Sequence, residues 1–150
     1  MDDQQKITGG CLCGAVRYRV TSKPLAPLYC HCGMCRKSGG GPFAAAATVL
    51  VENLEFYKGR PNAYESSPGF VRLFCRGCGA SIGMTATESP KLIAFWLNCL
   101  DDPNAVKPEC HQYTKEQVSW CDVNDNLPRH PGVAPENGDL WAKYEGWETL

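Results

Sequence analysis

The sequence lacks an excess of charge of either sign. Its 150 residues include 15 lysines and arginines against 16 aspartates and glutamates, which gives a formal net charge of −1. Proteins that bind nucleic acid or an anionic membrane surface usually present clustered positive charge. Because the sequence has no basic run and no basic tail, we expect neither nucleic acid nor a membrane among its partners.

Long apolar runs are also missing. A membrane-spanning helix needs about 18 or more consecutive apolar residues, and the most apolar late stretch, residues 91–100, is shorter. The N-terminal segment M-D-D-Q-Q-K is acidic and polar and has no apolar core behind it. It therefore does not match a secretory signal, and we expect a cytoplasmic, reducing location.

Sustained helical periodicity, internal repeats and low-complexity linkers are absent as well. Short alternating or apolar segments separated by Gly and Pro predict strands instead, although the alanines of residues 43–51 also favour helix. The predicted strands cover residues 16–20, 43–51, 54–57, 63–66, 70–74, 82–85 and 92–97. We predict one mainly β domain over residues 7–135, a flexible tail of residues 1–6, and a C-terminal extension of residues 136–150 with a candidate short helix at 140–144.

The sequence has an abundance of cysteine, with ten in 150 residues. A disulfide scaffold is the first explanation to test, because small secreted domains are often rich in disulfides. In a reducing compartment, clustered cysteines more often bind metal. A redox dithiol of the thioredoxin type needs a βαβ context, which neither C-x-x-C pair has. We therefore favour metal binding over disulfide or redox chemistry.

Two cysteine pairs complement each other. Cys11 and Cys13 form C-x-C between glycines, and Cys75 and Cys78 form C-x-x-C followed by Gly79. Each tight turn offers two soft thiolates, and four thiolates are the ligand set of a closed structural zinc site. Iron in this four-thiolate set stays an alternative. Such a site would tie the first strand to the middle of the chain, and its binding energy would act as folding energy.

A third group of cysteines is local and incomplete. Cys30, Cys32 and Cys35 fall within six residues. If the preceding chain is extended, Cys30 and Cys32 project to one side and His31 to the other, and Gly33 lets the chain turn so that Cys35 approaches them. Catalytic zinc often has three protein ligands and one open position. The segment therefore predicts a three-cysteine zinc site with a place for substrate.

Three further cysteines and two histidines stand alone in the sequence. Free cysteine is commonly a small buried residue, and we interpret Cys99, Cys110 and Cys121 in that way. Cys99 follows an apolar run and is an alternative fourth ligand for the three-cysteine site. His111 and His130 are further alternatives for that fourth ligand, and we favour the interpretation that they are structural or exposed.

Five sequence motifs match those of a known family and occur in the same order along the chain. They are G-G-C-x-C-G-A-V-R-Y at residues 9–18, C-H-C-x-x-C-R-K at 30–37, R-x-F-C-x-x-C-G at 72–79, L-D-D-P at 100–103 and W-x-x-x-x-D-x-L-P at 120–128. In these segments the chain resembles the Gfa family, named after glutathione-dependent formaldehyde-activating enzyme, which includes the CENP-V-like proteins. The resemblance covers about residues 7–135.

This resemblance implies a fold and two metal sites. The fold would be a β-tent of small antiparallel sheets around a structural zinc. That zinc would be bound by Cys11, Cys13, Cys75 and Cys78, and a second zinc by Cys30, Cys32 and Cys35. The implied activity is that of a carbon–sulfur lyase of the S-hydroxymethylglutathione synthase type, whose partners are glutathione and a small aldehyde. The chain departs from the family in its short length and in the G-G-G-P segment at residues 39–42, which leaves the substrate open.

The metal chemistry suggests how such a site would act. An open zinc position favours the thiolate form of a substrate thiol, and the catalytic group would be Cys30, Cys32 and Cys35. Arg36 and Lys37 follow the last ligand and are candidates to pair with substrate carboxylates, or they form a solvated turn. His31 is a candidate proton relay, although strand alternation directs it away from the metal. The alternative function is a non-catalytic, zinc-stabilised binding or carrier module for a thiol or a protein.

Overall fold

The computed structural model describes residues 7–144, and its regular structure is dominated by ten strands. The strands are β1 (Ile7–Gly10), β2 (Arg17–Val20), β3 (Leu25–Cys30), β4 (Ala44–Leu50), β5 (Leu54–Lys58), β6 (Asn62–Ser67), β7 (Phe70–Phe74), β8 (Ser81–Ala86), β9 (Ser89–Trp96) and β10 (Cys110–Gln112). The predicted mainly β fold is confirmed, and all seven predicted strands lie within three residues of their expected bounds. The tail predicted for residues 1–6 lies outside the described residues, as do residues 145–150.

The strands form two sheets of different size. The smaller sheet is antiparallel, with the order β1-β2-β5, and the larger has seven strands in the order β10-β3-β4-β9-β8-β7-β6. Six neighbouring pairs contact each other in the larger sheet, and β10 with β3 is its parallel pair. That parallel pair was not predicted. It places His111 of β10 directly beside Tyr29 of β3.

Both faces of the seven-stranded sheet are buried at its centre. On β9, Ile93 and Phe95 contribute to the apolar core shared with the smaller sheet, where the Phe95 ring lies 6.2 Å from that of Tyr18. The alternate residues of β9, Ala94 and Trp96, project to the opposite face, as the two-residue period of a strand requires. We call that opposite face the thiol face, because Cys30 of β3 packs there.

Two helices flank the thiol face. Helix α1 (Gly33–Gly39) directly follows β3, and Gly40 ends it with a left-handed backbone at φ 75°, a conformation that glycine adopts without strain. Helix α2 (Pro135–Tyr144) packs Trp141 against the residues of β9 that face it. Neither helix of the described residues is long and apolar enough to cross a membrane.

Strand β3 contains a proline, Pro27. The strand is irregular there, because its register with β4 shifts between Leu25 and Leu28. A proline lacks the N–H that a regular ladder needs and is tolerated at such a bulge.

Candidate functional site

Four thiols from two distant turns meet at one edge of the molecule. Cys11 follows β1 and Cys75 follows β7, and the sulfurs of Cys11, Cys13, Cys75 and Cys78 all lie within 4.8 Å of one another. The Cys13 sulfur lies 3.6 Å from that of Cys11 and 3.8 Å from that of Cys75. A tetrahedral zinc with bonds of about 2.3 Å to sulfur requires sulfurs about 3.8 Å apart. The four-thiol cluster therefore fits a tetrahedral soft metal ion.

Backbone turns preorganise the four-thiol cluster. The Gly79 N–H donates to the Cys75 carbonyl at 2.7 Å, and the Cys75 N–H donates to the Ala80 carbonyl at 2.9 Å. In the partner turn, the Val16 N–H donates to the Cys11 sulfur at 3.3 Å. Burial raises the pKa of Cys11, but hydrogen bonds led by that of Val16 outweigh it and lower the pKa to about 6. The turn thus favours the thiolate that a metal needs.

Three thiols form a second cluster on the thiol face. The sulfurs of Cys30, Cys32 and Cys35 lie within 4.8 Å of one another, and all three residues are buried. Cys30 ends β3, Cys32 caps α1, and Cys35 lies one helical turn further on, where its N–H donates to the Cys32 sulfur at 3.3 Å. Among the described residues, no other Cys, His, Asp or Glu joins this group of donor atoms.

A buried arginine accompanies the three-thiol cluster. Arg72 of β7 is 5 % exposed, and its Nη1 donates to the Cys35 sulfur at 3.6 Å while its Nε donates to the Ser66 hydroxyl at 3.1 Å. Hydrogen bonds from the Cys30 and Cys32 thiols, together with the positive charge of Arg72, lower the pKa of Cys35 to about 3. Arg72 therefore makes this cluster a favourable place for negative charge.

His31 lies in a different environment from the neighbouring cysteines. It is fully buried, its Nε2 lies 2.8 Å from His111 Nδ1, and the two rings stack with centroids 5.1 Å apart. His111 Nε2 in turn lies 3.0 Å from a carboxylate oxygen of Asp125. Because an ionised carboxylate only accepts, His111 Nε2 donates to Asp125, and in the neutral form of His111 the Nδ1 lone pair then accepts from His31 Nε2.

This chain of hydrogen bonds fixes the state of His31. With Nε2 protonated, a neutral His31 keeps a lone pair on Nδ1, which is buried and has no hydrogen-bond partner in the described part of the chain. Burial and the neighbouring His111 lower the pKa of His31, which favours this neutral form. Through its hydrogen bond to His111, the His31 imidazole connects the segment before α1 to β10 and, through His111, to the loop that carries Asp125.

The predicted substrate-binding residues differ in their contacts and in their exposure to solvent. Arg36 Nη1 donates to the backbone carbonyls of His31 at 3.2 Å and Glu116 at 3.0 Å, so this side chain binds the loop after β10 to α1. Lys37 is exposed one residue further along the same helix. Arg36 is thus engaged by backbone carbonyls, Lys37 is exposed, and the His31 side chain is buried.

The remaining cysteines lie outside both clusters. Cys99, the alternative fourth ligand, donates from its sulfur to the Ser81 carbonyl at 3.1 Å. Cys110 is buried on β10, and Cys121 is partly buried. All ten cysteines fall within the described residues, and all are free thiols.

A small cavity of about 50 Å³ adjoins the three-thiol cluster. Cys30 and Cys35 form part of its wall, Trp96 of β9 lies on the thiol face beside them, and Trp141 of α2 lines it from the helix side. This volume is well below that of pockets for drug-sized molecules, which is about 300–1,000 Å³, so the cavity admits a group of a few atoms beside the two cysteines.

Sequence reasoning missed two of these residues, because it predicted no role for Arg72 or Asp125. His111, interpreted as structural or exposed, is buried between His31 and Asp125. Both missed residues could have been found by their place in the family motifs. Arg72 begins the R-x-F-C-x-x-C-G segment, and Asp125 lies in the late W-x-x-x-x-D-x-L-P segment. Their partners are 37 and 14 residues away in sequence, and only the folded sheet brings them into contact.

Comparisons with known proteins found a family model that matches most of the chain. Residues 6–116 match the family model described as glutathione-dependent formaldehyde-activating enzyme. A Halomonas elongata protein, provisionally named as such an enzyme, is 30 % identical over 128 residues, which are 78 % of this chain and 80 % of that protein. An uncharacterised lyase of Schizosaccharomyces pombe is 26 % identical over 122 residues, covering 72 % and 85 % of the two chains.

A solved structure shares the fold. The crystal structure of a Rhodobacter sphaeroides protein superposes with a TM-score of 0.54 at 23 % identity, covering 81 % of this chain and 98 % of that one. The family match spans most of the chain and includes all seven clustered cysteines. On this basis the chain belongs to the Gfa family.

Proposed function

We propose that this protein is a zinc-dependent carbon–sulfur lyase that forms and breaks a thiol–carbonyl adduct, of which glutathione with formaldehyde is the type. The observation that carries the proposal is the contrast in donor number. One cluster brings four thiols together, whereas the cluster beside the cavity has only three. The family's description and the lyase name of a relative support this class of reaction.

The donor sets fit zinc in both clusters. Cys11, Cys13, Cys75 and Cys78 would hold a structural ion, and Cys30, Cys32 and Cys35 would hold a second. Bound zinc with an open position lowers the pKa of a thiol that enters there and favours its thiolate. The thiols of both clusters need the reduced state, which a cytoplasmic location would provide.

The residues around the second cluster suit the charge changes of this reaction. The substrate sulfur forms a bond to the carbonyl carbon, the C=O π pair moves to oxygen, and that oxygen takes up a proton. In the reverse direction the hydroxyl loses its proton, and the C–S bond breaks with its electron pair returning to sulfur. Arg72, held beside Cys35, offsets the negative charge of the sulfurs, and the buried setting strengthens that attraction.

The proposal is tested with purified, zinc-loaded protein. Rates of adduct formation and breakdown are measured by NMR exchange against the spontaneous background, with wild type, Cys35→Ser and Cys121→Ser compared. We expect acceleration by wild type and by Cys121→Ser and loss of acceleration in Cys35→Ser. If wild type binds no small thiol and leaves both rates at the background value, the proposed function is wrong.

A further inference from the structure

Tyr113, the residue that follows β10, has a backbone conformation that is rare for tyrosine. Its φ is 55° and its ψ is 40°, which lie in the left-handed region. Among the non-glycine residues of the described chain, only Ala26 also has a positive φ. Such a conformation is strained for a residue with a side chain, and it persists where surrounding contacts hold it, often at functional sites.

Hydrogen bonds on both sides of Tyr113 hold this conformation. The Tyr113 N–H donates to the Gly132 carbonyl at 2.8 Å, and the Glu116 N–H donates to the Tyr113 carbonyl at 3.0 Å. The Thr114 N–H donates to the His130 carbonyl, also at 3.0 Å. The backbone at Tyr113 is therefore fixed by the loop that follows it.

The left-handed backbone turns the Tyr113 side chain to the thiol face. On β10, the His111 ring stacks on that of Tyr29, which precedes Cys30 on β3 and so projects to the face opposite the thiols. Regular alternation would place residue 113 on the same face as His111. Instead, the Tyr113 side chain packs against the buried apolar group that contains the three-thiol cluster.

The Tyr113 hydroxyl is available as a hydrogen-bond donor. Within residues 7–144 it has no hydrogen-bond partner, and it is open to solvent, unlike the enclosed and unpartnered hydroxyl of Tyr18. Burial, followed by the negative charge of the thiols and of Glu116, raises the pKa of Tyr113. Because the ordinary pKa of a phenol is already about 10, Tyr113 keeps its proton beside the thiols.

We propose that Tyr113 is a catalytic residue of the lyase reaction, and that its O–H donates a hydrogen bond to the carbonyl oxygen of the aldehyde. This inference rests on the proposed function and adds a residue to it. When the substrate sulfur bonds to the carbonyl carbon, the π pair moves to oxygen, where negative charge develops. A donor already in place beside the reacting atoms stabilises that charge. In the reverse direction the same hydrogen bond stabilises the alkoxide from which the C–S bond breaks.

The proton balance of the reaction leaves Tyr113 unchanged. The substrate thiol releases its proton to solvent when it becomes a thiolate, and the new alkoxide takes up a proton from solvent. The phenol therefore keeps its own proton throughout. Arg72 contacts the Cys35 sulfur, so it acts on the sulfur side of the new bond, whereas Tyr113 acts on the oxygen.

The test compares Tyr113→Phe with wild type and with Tyr64→Phe, which changes an exposed tyrosine of β6. Phenylalanine keeps the ring and its packing and removes only the hydroxyl. Rates of formation and breakdown of the glutathione–formaldehyde adduct are measured on zinc-loaded protein at saturating glutathione. We expect Tyr113→Phe to reduce the acceleration about 100-fold and Tyr64→Phe to leave it unchanged.

Two further readouts separate this role from a structural one. Glutathione affinity, followed by the thiolate charge-transfer absorption of Co²⁺-loaded protein, should stay within about twofold of wild type in Tyr113→Phe, because the hydroxyl acts only on the oxygen. In protein that carries 3-fluorotyrosine, the ¹⁹F signal absent from Tyr113→Phe belongs to Tyr113. That signal should shift when formaldehyde is added to the glutathione-bound protein, and the Tyr64 signal should not.

The outcomes distinguish this inference from the proposed function. Wild-type acceleration in Tyr113→Phe, a loss of glutathione affinity as large as the loss of rate, or a Tyr113 signal that formaldehyde leaves unshifted would each show that the inference is wrong, while the proposed function stands. If wild type itself gives no acceleration, the proposed function is wrong and this inference fails with it.

Discussion

The two cysteine clusters differ in how the chain assembles them and in what surrounds them. The four-thiol cluster joins turns more than 60 residues apart, with Cys13 exposed at its edge, and backbone N–H groups surround it. The three-thiol cluster comes from one short segment, is buried, and has Arg72 and a cavity beside it. A closed donor set suits a cross-link, whereas an incomplete set beside a cavity suits a ligand. We therefore expect substitutions in the first cluster to change stability and those in the second to change activity.

The largest effect is expected for Cys75→Ser. This change removes a ligand from the four-thiol cluster, and structural zinc contributes folding energy directly. The free energy of unfolding should fall by about 5 kcal/mol or more, enough to unfold a domain of ordinary stability. Denaturant unfolding and metal content measure it, with Cys121→Ser as the matched control outside both clusters. Native stability with a full metal complement would contradict this assignment.

Cys35→Ser should have the opposite effect to Cys75→Ser, because it should reduce activity and leave stability nearly unchanged. The second zinc and the acceleration of adduct exchange should both be lost, with activity reduced at least about 100-fold, while the domain stays folded. Circular dichroism, metal content and the exchange rate are compared on one preparation. An unfolded Cys35→Ser protein would mean that the three-thiol cluster is also structural, which would remove the distinction between the two clusters.

A chelator should remove zinc from the two clusters at different rates. Three thiolates hold zinc less tightly than four, so a competing chelator should remove one zinc equivalent well before the second. Metal release followed by a chromophoric chelator should show two phases, and only the slower phase should coincide with loss of the circular dichroism signal. Unfolding during the faster phase would contradict the proposed roles.

Arg72→Met should affect the three-thiol cluster alone. A zinc ion with three thiolates carries one net negative charge, a substrate thiolate adds a second, and Arg72 offsets part of it. A charged hydrogen bond of this kind is worth about 1.5–3 kcal/mol, so thiol affinity should fall about 10-fold to 100-fold. Arg72→Lys should recover part of the loss because it keeps the charge. Equal affinities in wild type and both variants would show that the contact with Cys35 has no electrostatic role.

The smallest effect is expected for Asp125→Asn. The carboxamide accepts more weakly from His111 Nε2, and the unfolding free energy should fall by about 1–2 kcal/mol. Because the hydrogen-bonded chain from Asp125 ends at His31 rather than at the thiols, thiol affinity should change little. Imidazole ¹⁵N shifts should show whether the His111 tautomer has altered. A large loss of thiol affinity would instead give His31 a part in the site.

The local features of both clusters could be predicted from sequence. A C-x-C or C-x-x-C turn brings its own thiols together, and the His31 side chain is separated from those of Cys30 and Cys32, as expected for alternation in the chain that continues from β3. The strands were recognisable for the same reason, since side-chain alternation is a local property. The G-G-G segment also limited α1, which ends at Gly39.

Contacts that depend on sheet order could not be predicted. The parallel pairing of β10 with β3 brings His111 to His31, and the position of β7 brings Arg72 to Cys35. Neither contact leaves a periodic signal in the sequence, because partners far apart along the chain are selected by packing of the whole sheet. The cavity has the same origin, since residues of five strands and of α2 line it.

The most direct test of the central claim is X-ray absorption at the zinc edge, with and without a small thiol. The account predicts two zinc ions per chain and an average of about 3.5 sulfur ligands for each ion, which rises to about 4 when the thiol is added. Cys35→Ser should remove the change. A single zinc with four sulfur ligands, or a sulfur count that the thiol leaves unaltered, would contradict the claim that the three-thiol cluster is an open site for substrate.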